Sequence, residues 1–140
     1  MKKLVLAVIA LGFSVGVNAA CDTKSLKGSY VINTTFTGLQ NNSYPITCGQ
    51  IGIINFDGKG GTTLNHVSGC AGILPNEGSF ATETGRYSFD NLCSGTAIFS
   101  KGDPEEEITL IFIFDNNLTK ASFVFNGINT ISGSGSIFKQ

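Results

Sequence analysis

One histidine, His66, occurs in the 140 residues, and it is the side chain best suited to proton transfer near neutral pH. A catalytic histidine needs a nucleophile or an orienting carboxylate within hydrogen-bond reach. Sequence alone places neither beside His66, so a solvent-exposed or hydrogen-bonded structural histidine is the expectation. The acidic run Glu105-Glu106-Glu107 reads as a solvated strand start that guards an edge. Tyr30, Tyr87 and Glu83 are the strand-borne groups that acid–base work would need. Asp57-Gly58-Lys59-Gly60-Gly61 is similar to a calcium loop but lacks the alternating Asp/Asn ligands and the closing Glu. No helix follows it to lend its N-terminal amides to a phosphate, so it reads as a hairpin turn. The four cysteines form no CxxC pair and no zinc-spaced Cys/His set, so neither a metal nor any cofactor is implied.

These groups must be carried by an exported chain. Met1-Lys2-Lys3 is a short basic start, Leu4 to Val17 is apolar or small, and Val17-Asn18-Ala19 supplies a small-residue cleavage pattern. Residues 1–19 therefore read as a signal peptide of bacterial brevity, too short for a spanning helix of about 20 apolar residues. Residues 20–140 read as one domain, periplasmic or secreted. Ala19-Ala20-Cys21 is similar to the end of a lipobox, but Asn18 stands where a bulky apolar residue belongs, so soluble export is expected over lipidation of Cys21. Nine basic residues less Lys2 and Lys3 leave seven against ten acidic, a net charge of −3. That balance, with no basic patch, argues against a nucleic acid partner or an anionic membrane surface.

From Lys27 onward the chain is short β-rich runs separated by Gly, Asn, Asp and Ser, with no helical periodicity. The pattern predicts eight strands over 29–37, 48–56, 61–67, 80–89, 94–100, 108–114, 120–125 and 131–138. Tight turns are expected at Asp57–Gly60, Asp90–Leu92 and Asn116-Asn117, after the even strands. The connections 38–47 and 68–79 read as long loops, so an up-and-down meander would collect them at one end. Without any Trp, the Cys…Trp…Cys signature of antibody-type sandwiches is impossible. The expectation is an all-β, eight-stranded antiparallel up-and-down β-barrel.

Period-2 alternation assigns faces. Ile108, Leu110, Phe112 and Phe114 share one face of the sixth strand, and Ala121, Phe123 and Phe125 one face of the seventh. In the eighth strand Ile131, Gly133, Gly135 and Ile137 alternate with three serines, which puts the glycines inward. The space they leave admits neighbouring phenyl rings or a ligand. Ile111 and Ile113 make the sixth strand apolar on its outer face too, which reads either as two exposed isoleucines or as a covered face, a subunit contact or a packed terminal segment.

Strand direction also orders the cysteines. Cys48 and Cys70 are each eleven residues from Lys59, the centre of the hairpin turn, and so are near neighbours at the looped end. Cys21 and Cys93 both enter strands from the tight-turn end. The other two connectivities would join opposite ends of a barrel, beyond the ~7 Å Cα limit of a disulfide. The pairing expected is Cys48–Cys70 and Cys21–Cys93.

Leu26-Lys27-Gly28-Ser29-Tyr30, Phe56-Asp57-Gly58-Lys59-Gly60, Gly85-Arg86-Tyr87 and Cys93-Ser94-Gly95-Thr96-Ala97 are spaced along nearly the whole mature chain. With these elements it resembles small exported bacterial β-barrel proteins of calycin-like shape, a group that includes lipocalins, avidins and allene oxide cyclases. The lipocalin Gly-x-Trp signature and avidin's pocket tryptophans are absent. The resemblance implies a fold and neither a ligand nor an activity.

The function expected is non-enzymatic: an exported, disulfide-stapled barrel that binds a small apolar molecule or a protein partner through its looped end. Tyr30, Tyr87, Phe112, Phe123 and His66 are the candidate ligand contacts. The alternatives are an isomerase or cyclase acting on a hydrophobic substrate within the barrel, or a surface interaction module using the Ile111/Ile113 face.

Overall fold

A computed structural model describes residues 21–40, 44–70, 80–100, 107–126 and 132–140. Residues 1–19, read above as a signal peptide, and the Glu105-Glu106 carboxylates lie outside the described residues. Eight strands follow in order: β1 (Lys27–Gln40), β2 (Tyr44–Asp57), β3 (Gly61–Cys70), β4 (Ala81–Phe89), β5 (Ser94–Phe99), β6 (Ile108–Phe114), β7 (Lys120–Asn126) and β8 (Ser132–Lys139). Each pairs antiparallel with the next, and β8 returns to β1 from Tyr30↔Lys139 to Thr37↔Ser132. The result is a closed up-and-down barrel with no helix among the described residues.

The first hairpin departs from expectation. Residues 38–47, read as a loop, are mostly strand, since β1 and β2 stay paired out to Gln40↔Tyr44. The β-branched Thr37, Ile46 and Thr47 favour a pleated conformation, and only Asn41-Asn42-Ser43 separate the two strands. β3 likewise extends past Val67 to Cys70.

The side chains follow the two-residue alternation. On β7 buried Ala121, Phe123 and Phe125 alternate with exposed Lys120, Ser122, Val124 and Asn126. The interior packs Tyr30, Phe56, Tyr87, Phe89, Phe112 and Phe114 edge-to-face or stacked, at centroid distances of 4.9–6.4 Å. The inward glycines of β8 are filled by phenyl rings. A Cβ on Gly135 would lie 2.6 Å from the Phe123 ring, and one on Gly133 would lie 2.5 Å from that of Phe125. Only hydrogen at those positions lets the rings reach the sheet.

Candidate functional site

The two ends of the barrel differ in kind. At the end where the chain turns tightly, one turn is built three times. Asp57, Asp90 and Asp115 each end a strand, and each offers Oδ1 to the backbone N–H four residues on: Gly61 at 2.9 Å, Ser94 at 3.0 Å and Thr119 at 2.7 Å. Three residues after each aspartate the backbone turns left-handed, at Gly60 (φ 104°), Cys93 (φ 59°) and Leu118 (φ 54°). A non-glycine residue pays a steric penalty there, and the side chains of Cys93 and Leu118 are both buried in the core. Hydrogen bonds from the Lys59 amide to Asp57, and from the Thr119 hydroxyl to Asp115, hold both carboxyls below the usual aspartate range.

A short turn at the start of the described chain plugs this end. Asp22 and Ser25 bond each other's backbone amides, which aims Leu26 into the barrel with no exposed surface. The Tyr87 hydroxyl lies 2.8 Å from the Leu26 carbonyl and 2.9 Å from that of Thr23, and it accepts the Gly58 N–H at 3.0 Å. The Cys21–Cys93 disulfide, across a sequence separation of 72, fastens the plug to the rim. Burial raises the pKa of both Tyr87 and Tyr30. These two candidate contacts therefore belong to the closed end, and Phe112 lies in the aromatic network between Phe56 and Phe89.

The looped half is different, because its interior carries polar groups along β1 to β4. His66 and Glu83 both face inward, with His66 Nε2 3.2 Å from Glu83 Oε1 and the carboxylate side chain only 3% exposed. On the other side of the ring, His66 Nδ1 lies 3.2 Å from Ser68 Oγ. Each ring nitrogen of His66 thus has an oxygen partner within hydrogen-bond distance, and the tautomer decides which one donates. Gly52 makes room for this imidazole: a Cβ there would sit 2.8 Å from the His66 Cβ. Half-buried Gln50 and buried Thr34 share the inward side, in register with Ser68 through Thr34↔Gln50↔Ser68. The Cys48–Cys70 disulfide joins directly opposed residues of β2 and β3 beside this wall.

The looped half also presents phenyl rings. Phe99 on β5 and Phe125 on β7 are buried, and half-buried Phe36, on β1 beside Thr34, meets Phe125 edge-to-face at 5.7 Å. Phe123, the remaining predicted contact, lies one inward step below Phe125 on the same strand. Of the five predicted ligand contacts, His66 and Phe123 are thus inside or next to the looped half, and Tyr30, Tyr87 and Phe112 lie deeper. Thr34, Gln50 and Ser68 were not singled out from sequence. Their signal was inward alternation alone, which marks a face and cannot say that a polar residue on it is buried.

Outside the barrel, Ile111 and Ile113 are about half exposed. With Ser94, Ser122, Val124 and Ser134 they border a shallow hollow of about 480 Å3. Among the described residues no group of His, Cys, Asp or Glu could hold a metal ion, and no helix is long and apolar enough to cross a membrane. The chain matches no family model, and no curated protein or solved structure is significantly similar to it.

Proposed function

We propose that the protein is an exported, non-enzymatic binding protein that takes a small, largely apolar molecule at the looped end of the barrel. The observation that carries this reading is the asymmetry of the interior. One end is sealed by Leu26, Leu118 and a disulfide, while the other combines the rings of Phe36, Phe99 and Phe125 with the polar groups of His66, Glu83 and Thr34. Ligand sites combine a mainly apolar lining with a few placed polar groups in this way. Export is supported by the two disulfides, which persist in oxidising compartments. Phenyl rings fill the interior, and the outer faces mix serine, threonine and asparagine on β1 and β8 with exposed Ile51, Ile53, Ile111 and Ile113 on β2 and β6. Native mass spectrometry of protein purified from its own host tests the reading. A retained small-molecule adduct is expected, and a bare polypeptide mass in every preparation contradicts it. The same spectrum reads whether copies associate through the Ile111/Ile113 face.

A second reading, an isomerase or cyclase acting on a hydrophobic substrate, is favoured by the His66–Glu83 pair. A buried carboxylate that orients an imidazole is what proton abstraction would need. Isomerisation of a bound substrate by the native protein, lost in His66→Gln with binding retained, would establish it.

A further inference from the structure

We propose that the looped half contains a hydrogen-bonding subsite centred on the Thr34 hydroxyl, which takes the hydroxyl edge of a small neutral aromatic molecule. This deepens the binding reading above and rests on it. Among the described residues, two buried side-chain polar atoms lack a hydrogen-bond partner, Tyr30 Oη and Thr34 Oγ1. Their surroundings differ. Tyr30 has no exposed surface and is hemmed in by Phe56 and Phe114 at 5.7 and 5.4 Å, in the plugged half. Thr34 is 2% exposed but lies one inward step from half-buried Phe36, towards the end opposite the plug.

Burying a hydroxyl without a partner is unfavourable. A valine of the same shape would fill the Thr34 position without that cost, so the hydroxyl contributes nothing to the packing of the empty barrel. The neighbours of Thr34 define what it would meet. In register it is flanked by Gln50 on β2 and by Gly135 on β8, and the ring of Phe123 occupies the space over Gly135. Phe125 over Gly133 and its edge-to-face partner Phe36 continue the aromatic surface towards the end opposite the plug. Phenyl rings favour an aromatic body by offset or edge-to-face packing. A hydroxyl flanked by a primary amide can both donate and accept, which matches a hydroxyl on the ligand. Neither register neighbour is charged, so an ionised ligand group would be buried there without a counter-charge.

The test uses two probes with the same apolar body, naphthalene and 2-naphthol, titrated into the intact disulfide-bonded protein. The wild-type protein should bind 2-naphthol about tenfold more tightly, the difference that one satisfied hydrogen bond supplies. In Thr34→Val that preference should vanish through loss of naphthol affinity, while naphthalene binds as before and the thermal midpoint of the free protein holds or rises. Thr34→Ser keeps a hydroxyl and should keep the preference, which separates a binding role from damage to the fold. Equal binding of the two probes by the wild-type protein would overturn the subsite and leave the binding reading standing. So would a Thr34→Val protein that melts lower and still prefers naphthol, the behaviour of a hydroxyl tied to a structural water. If neither probe binds, the apolar-ligand reading fails and the subsite with it.

Discussion

The hydroxyl of Tyr87 on β4 lies 2.8 Å from the carbonyl oxygen of Leu26, 61 residues earlier in the chain. One phenol thereby joins three segments, since the same oxygen also accepts the Gly58 N–H in the β2–β3 turn. Replacing Tyr87 by Phe keeps the ring against Phe56 and leaves the Gly58 amide without that acceptor. An unsatisfied buried donor costs about 1–3 kcal/mol. Urea denaturation should show that loss, and an unchanged midpoint would mean that the plug does not depend on the bond.

Acid should loosen the closed end. Asp57 and Asp115 are held below the ordinary aspartate range by the turn amides and the Thr119 hydroxyl that bond them. A carboxyl whose folded pKa is depressed stabilises the fold above its unfolded value of about 3.9, and the contribution is lost as pH falls through the folded value. Both groups are solvent-exposed, so each contribution is modest. The thermal midpoint should therefore decline as pH drops below about 4. Asp115→Asn should melt lower at neutral pH and show a shallower acid decline. An acid arm identical to wild type would clear Asp115 of any part in it.

Neighbouring residues of β6 should behave in opposite ways. Phe112 is 2% exposed and touches Phe56, Phe89 and Phe114, so Phe112→Ala should cost about 3–5 kcal/mol. Ile111 points outward at 50% exposure, and Ile111→Ala in dilute protein should change stability by no more than about 0.5 kcal/mol. A large loss at Ile111 that grows with protein concentration would show that its face is covered by another copy.

The two disulfides should contribute unequally. The Cys21–Cys93 bridge spans 72 residues and the Cys48–Cys70 bridge 22. Chain-entropy estimates give about 4 and about 3 kcal/mol respectively. Paired serine substitutions, compared by denaturant unfolding, should place Cys21/Cys93 as the more damaging loss. The reverse order would show that the mouth, not the plug, holds the barrel together.

Much of this architecture could be read from the chain because a strand's side-chain period is a rigid two. Tight turns after the even strands pointed to the meander, and strand direction then set Cys48 beside Cys70 and Cys21 beside Cys93, as the disulfides have it. The first hairpin was misread at 38–47 because glycine, proline and asparagine there imitate a loop, while sheet pairing from Gln40↔Tyr44 overrides them. The His66–Glu83 contact was illegible for a different reason. The residues are 17 apart on strands whose connection hides the register, and a one-residue slip would turn one of them outward. The turns at Asp57, Asp90 and Asp115 looked like ordinary tight turns. That Cys93 and Leu118 adopt a left-handed backbone in them depends on the buried pockets that receive their side chains, which no local pattern reveals.

Ring closure also fixes which way the molecule faces. β1 begins and β8 ends at the plugged side, where the Gln140 amide meets the Ser29 carbonyl at 3.1 Å. Cys21 and Gln140 thus leave the barrel from its back, opposite Phe36 and His66. A fluorophore, a resin or a fusion partner attached at Gln140 would hang on the plugged side, away from Phe36 and His66. Immobilisation through residue 140 should accordingly preserve whatever binding the free protein has.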